Sequence, residues 1–213
     1  MQQSARDVTE EGVATPQGDA RVHLRLADAP IGGLVLGHGA GGGVGARDLQ
    51  AVTAAARDAG ISVVLVEQPY RVAGRRSPPP APRLDAAWIA IVEHLRAGPL
   101  AGLPVVTGGR SSGARVACRT AEATGAAGVL CLALPLHPPQ RRTATEPPPS
   151  RIGELDAVRV PVLVIQGVAD RFGMPPEAPG RTVVQVAGDH SLAKDHPAIA
   201  APARDWLVEL LSS

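Results

Sequence analysis

Four segments of this chain carry residue types that could do chemistry. The first is GLVLGHGAGGGVGARD (33–48), a glycine-rich stretch after a short Leu/Val run, within which GHGAGG (37–42) satisfies G-x-G-x-x-G. Such a loop lets backbone amides approach negative charge, either a dinucleotide pyrophosphate or an oxyanion formed during acyl transfer. The second is TGGRSSGARVA (107–117), which contains G-x-S-x-G as Gly109, Ser111 and Gly113. A nucleophile on a tight strand-to-helix turn needs small residues two before and two after it. That fixes the register on Ser111, because Ser112 would have Arg110 two positions before it. Ser112 then opens the helix, with its N–H placed for an oxyanion. A serine nucleophile needs a base, and the base needs an orienting acid. VLVIQGVAD ends on Asp170, and TVVQVAGDH ends on His190. The order Ser111, Asp170, His190 is the chain order of an acyl-transfer triad on an open α/β sheet.

These residues need elements to hold them. Short apolar runs recur at 33–37, 61–67, 103–109, 127–135, 160–167 and 182–188. Continuous Val/Leu runs of this kind predict strands buried on both faces of a parallel sheet. Val22, Leu24 and Leu26 alternate after the turn residues TPQGD, which predicts an antiparallel N-terminal hairpin over 11–27. Between the runs lie helical stripes: Leu49, Val52, Ala56 and Ala59; Leu84, Trp88, Ile91 and Leu95; Ala114, Ala117, Cys118 and Ala121; and Ile199, Ala203, Trp206, Leu207 and Leu210. The pattern specifies a single α/β domain over 1–213. Its doubly wound, mostly parallel sheet has about seven to eight strands, with helices on both faces and no large cap.

Composition narrows the function. The 213 residues carry a net charge of +1 and four aromatic residues, which argues against a nucleic-acid partner and leaves no platform for stacking bases. No apolar run reaches about 18 residues and the first residues lack an apolar leader core, so a cytoplasmic protein without a membrane partner is expected. Cys118 and Cys131 are too few for a disulfide framework or zinc cluster and are expected in the core.

LGHGAGG, GRSSGAR, LPLHPP, VLVIQGVAD and GDHSL together resemble the α/β-hydrolase superfamily. Within it they resemble a small capless branch near the dienelactone hydrolases, whose relatives include hydrolase-like domains of chromatin complexes. The resemblance covers essentially the whole length. It implies a Ser111–His190–Asp170 triad and a loop after the first parallel strand supplying the second oxyanion donor; a small acyl substrate and no cofactor or metal are expected. Dienelactone hydrolases proper use a cysteine where this chain has Ser111. Relatives often read Arg-Asp-Pro-Phe-Gly around the acid, where this chain reads ADRFG.

The glycine loop then reads as an oxyanion loop, with the Ala40 or Gly39 amide as donor. A dinucleotide site would use GHGAGG with Glu67 as the ribose acid and would leave the triad residues without a role. A P-loop is excluded because no Gly-Lys-Ser/Thr follows. His38 is expected to shape the loop or touch substrate, and His137 to lie on the rim. Arg71, with Arg75 and Arg76, sits on a loop (67–83) overhanging the same edge. Asp189 competes with Asp170 as the acid. Arg110 is expected to pair with a carboxylate, and His23 and His94 are expected on the surface. The expected activity is a serine hydrolase of small esters, thioesters or lactones; a non-catalytic binding scaffold on the same fold is the alternative.

Overall fold

The computed structural model describes residues 8–138 and 149–212. The chain opens with strands β1 (Thr9–Thr15) and β2 (Gly18–Arg25), followed by β3 (Gly32–Gly37), helix α1 (Arg47–Asp58) and β4 (Ile61–Glu67). A short α2 (Pro69–Val72) and α3 (Ala81–Ala97) lead to β5 (Val105–Arg110), α4 (Ser112–Thr120) and β6 (Gly128–Leu132). The last part holds α5 (Ile152–Asp156), β7 (Val162–Gly167), β8 (Arg181–Val186) and α6 (His196–Leu211). One sheet runs β1-β2-β4-β3-β5-β6-β7-β8. The hairpin strands pair antiparallel, β2 also with β4, and every other neighbouring pair is parallel.

The apolar runs work as two-faced strands because side chains alternate across a sheet. Leu34 and Leu36 of β3 join Ile61, Val63 and Leu65 of β4 in the core beneath α1 and α6. The intervening Val35, Val64 and Val66 pack with Leu84, Trp88, Ile91 and Leu95 of α3 on the other face. Further along, Val129, Cys131, Val162 and Val164 meet the small residues Ala114, Ala117, Cys118 and Ala121 of α4. The two cysteines are buried with their Sγ atoms 3.5 Å apart. Trp206 and Leu210, expected inside, are only half-buried at the margin of the α6 core.

Three expectations change. β8 is the sheet edge rather than a strand buried on both faces: of its six residues only Val186 is buried. His23 is not a surface residue; its side chain is 12% exposed, between Glu10 on β1 and Glu67 on β4. Burial follows from the position of β2 as an interior strand, paired on both sides. The 67–83 stretch is not all loop, since it holds α2 and the first turn of α3. Most of the proline-rich loop expected at 135–150 lies outside the described residues. No helix among the described residues is long and apolar enough to cross a membrane.

The strand order sets the position of the chemistry. From β3 the chain moves to β4 on one side and returns to β5 on the other, so the connections leaving β3 and β5 diverge from adjacent strand ends. Ligand crevices of open α/β sheets form at such points. Gly37, the last residue of β3, is in register with Gly109 of β5. The glycine loop and G-x-S-x-G therefore leave the sheet side by side.

Candidate active site

Ser111 sits where β5 ends and α4 begins, with φ 53° and ψ −106°. A left-handed backbone is strained for an L residue with a side chain. Its own N–H is tied to the carbonyl of Leu132 on β6 at 2.9 Å. Close packing on the other side accounts for the flanking glycines. A Cβ on Gly109 or on Gly113 would overlap the Gly37 carbonyl, and one on Gly113 would also lie 3.0 Å from the His38 carbonyl oxygen. The turn thus rests directly on the backbone leaving β3, and only glycine fits between them.

Three side chains far apart in sequence meet over this turn. His190 Nε2 lies 3.0 Å from Ser111 Oγ, and His190 Nδ1 lies 2.8 Å from Asp170 Oδ2. A carboxylate can only accept, so Nδ1 carries the proton and Nε2 is left to accept from the serine hydroxyl. The Asp170 side chain is wholly shielded from solvent. Its Oδ1 accepts from the Phe172 N–H, and its Oδ2 accepts from Gln166 Nε2 as well as His190, the two new contacts both 2.9 Å. The Phe172 ring packs edge-on against His190 with centroids 4.5 Å apart. Asp189, the competing acid, is exposed and accepts from the N–H and Oγ of Ser191. Those bonds hold its carboxyl below the usual carboxylate range and turn it into its own loop.

Arg110 ties the base to the rest of the fold. Its Nε donates to Asp48 Oδ2 at 2.8 Å and its Nη2 to the His190 carbonyl at 2.9 Å. Asp48, at the start of α1, is 2% exposed; burial pushes its carboxyl up, and the guanidinium opposes that shift. The carboxylate partner expected for Arg110 is thus Asp48, 62 residues away.

The glycine loop lies against the serine: a methyl on Gly39 would sit 3.7 Å from Ser111 Cβ. Tyr70 of α2 donates its hydroxyl to the Ala40 carbonyl at 3.0 Å. Ser112 is the first residue of α4, where an N–H has no intrahelical acceptor. His38 is 2% exposed. The Gln68 N–H donates to its Nε2 at 3.2 Å, so Nδ1–H donates to the Gly39 carbonyl at 2.8 Å. Both ring nitrogens of His38 thus lie on backbone partners, one in the glycine loop and one at the start of α2. His137 lies beside the acid turn, its N–H on the Phe172 carbonyl at 3.0 Å. Arg71 is on α2 with Nη1 3.5 Å from the Arg75 carbonyl, while Arg75 and Arg76 are exposed.

Burial, with Arg71's charge added, lowers the His38 imidazole below its ordinary value of 6.5. Below that pH the unfolded chain takes up a proton the folded one refuses, so stability falls as pH drops through the unfolded value. The slope from one such group reaches at most about 1.4 kcal/mol per pH unit. His38→Gln should therefore lose less stability than the wild type between pH 7.5 and 5.5 in thermal melts. Equal losses would mean that His38 does not set the acid sensitivity.

Sequence patterns did not single out Gln166, Phe172, Tyr70 or Asp48. A Gln inside a Val/Leu/Ile strand, and the single Phe and single Tyr of the chain, were the available signals.

The family model described as "Alpha/beta hydrolase domain" matches residues 31–197. No curated protein sequence matches the chain. Among solved structures, XC6422 from Xanthomonas campestris, titled an a/b serine hydrolase without lid, superposes with a TM-score of 0.70 at 19% identity over 97% of this chain and 98% of its own. Est1E from Butyrivibrio proteoclasticus gives 0.75 at 12% identity, over 96% and 99%. A dienelactone hydrolase from Anabaena variabilis gives 0.71 at 15%, over 97% of each chain. At these identities the likeness is one of fold, from the hairpin to the final helix. The family match spans residues 31–197, most of the sequence: this chain belongs to the alpha/beta hydrolases.

Proposed function

We propose that the protein is a serine hydrolase that cleaves a small ester, thioester or lactone through an acyl-enzyme on Ser111. The observation that carries this reading is the unbroken path from Ser111 Oγ through the His190 ring to Asp170, at 3.0 and 2.8 Å. Ser111 Oγ attacks the substrate carbonyl while His190 Nε2 takes its proton. Asp170 holds the Nδ1–H tautomer and stabilises the imidazolium that forms. The Ala40 and Ser112 amides stabilise the oxyanion. His190 then protonates the leaving group, and water repeats the sequence on the acyl-enzyme. General base catalysis contributes roughly 10²–10⁴-fold, and one oxyanion donor about 10²–10³-fold. XC6422, a structure of the same fold titled as lacking a lid, supports an active site open to solvent.

Labelling by a fluorophosphonate probe tests the reading. The wild type and Ser112→Ala should be labelled and Ser111→Ala should not, since only Ser111 faces the base. A folded wild type that resists the probe would remove the hydrolase reading and leave a fold used for binding.

A further inference from the structure

We infer that Gln166 is a positioning residue: its side-chain amide fixes the Asp170 carboxylate and, through it, the His190 tautomer. This inference rests on the hydrolase reading above. Gln166 is the penultimate residue of β7, in the run VLVIQG, and is fully buried. Its Nε2 lies 2.9 Å from Asp170 Oδ2, 2.9 Å from the Gly173 carbonyl and 3.1 Å from the Leu134 carbonyl. Two N–H bonds are thus shared among three acceptors. One belongs to the acid itself, one to the far side of its turn and one to the chain leaving β6. The amide fastens the turn at the point where Asp170 must present one oxygen to His190.

The same side chain is a cost to the core. Its Oε1 is buried without a hydrogen-bond partner among the described residues, and an unpaired buried acceptor is destabilising. An apolar residue would avoid that cost, so the amide is held for what Nε2 donates. Asp170 Oδ2 has two donors, Gln166 and His190, and Oδ1 has the Phe172 N–H. Without the first, the carboxylate can turn about its Cβ–Cγ bond and the imidazole loses its fixed acceptor. A ring that then carries its proton on Nε2 cannot accept from Ser111. A neutral donor is needed here, because a second carboxylate beside Asp170 would compete with it for a proton.

Gln166 is enclosed, so its loss should act on kcat and leave KM alone. A hydrogen bond to a charged group sets the expected fall in kcat at about 10- to 100-fold. The experiment compares the wild type with Gln166→Met, which fills the volume without a donor, and Gln166→Glu, which keeps the shape with oxygen in place of NH₂. Steady-state hydrolysis of an activated acetyl ester is measured for each, together with thermal melts. Proton NMR follows the hydrogen-bonded Nδ1–H of His190. The expected result is reduced kcat, KM within about twofold and a broadened or lost Nδ1–H signal in folded variants. In the wild type the Gln166 side-chain amide protons should exchange slowly with solvent. Fast exchange there, or a folded variant with wild-type kcat, overturns the inference even if neither or only one variant folds. A wild type that turns over ester while both variants match it removes the role of Gln166 alone. A wild type with neither turnover nor probe labelling removes the hydrolase reading and this inference with it.

Discussion

Ser111→Ala should fold as the wild type does and lose ester turnover by at least about 10⁴-fold, the scale on which triad members act together. The fold should be indifferent because the hydroxyl bonds to His190 Nε2 and to no other side chain among the described residues, at a half-buried position. Alanine keeps the Cβ, so the strain at φ 53° is neither added to nor relieved. The turn remains tied through the Ser111 N–H to Leu132, a backbone bond the substitution does not touch. What is lost is the covalent route: no group remains from which His190 could take a proton and which could then hold the acyl group. Ser112→Ala supplies the contrast, since the amide assigned to the oxyanion survives, and kcat should stay within a few-fold. Activated-ester kinetics with thermal melts separate the cases. More than one-hundredth of wild-type activity in a folded Ser111→Ala protein would mean that the nucleophile lies elsewhere.

The parts of this molecule that were legible in its sequence are those written in local patterns. Runs such as ISVVLVE announce burial on both faces because apolar residues fill both alternating sets of positions at their centre, and Ile61, Val63 and Leu65 do separate from Val64 and Val66 onto opposite faces. TVVQVAG looks similar, but whether a strand lies inside a sheet or at its edge depends on the order of strands. β8 turned out to be the edge. The helices α2 and α5, of four and five residues, are too short to display a period. At the site, glycine spacing fixed the register on Ser111, and strand ends located Asp170 and His190. Most of the supports were not legible, because they join residues distant in sequence, and the local ones from Gln166 and Phe172 to Asp170 follow no periodic pattern. Arg110 meets Asp48 across 62 positions, and Gln166 reaches back 32 positions to Leu134. His23 misled for the same reason: its burial comes from the strands on either side and not from its neighbours in the chain.

Gly113→Ala should destabilise the protein and impair catalysis together, through one contact. The added Cβ would overlap the Gly37 carbonyl and crowd that of His38. Both obstacles are backbone, so no flexible side chain can move aside. Gly37 is moreover held in register between β4 and β5. Overpacking of this kind costs about 1–3 kcal/mol, or a fall in Tm of roughly 2–12 °C for a chain of this size. The strand end cannot retreat without carrying Gly39 and Ala40 away from Ser111, and loss of one oxyanion donor costs about 10²–10³-fold in kcat. Gly41→Ala is the matched control in the same loop: a Cβ there meets nothing within 4 Å, so Tm and kcat should both stay near the wild type. If Gly113→Ala lost stability but kept full kcat, the glycine loop would be free to shift without consequence, and the oxyanion donor would have to come from Ser112 alone. If both fell while Gly41→Ala stayed unchanged, the fit of glycine backbone against the serine turn would be the element that joins the fold of this chain to its chemistry.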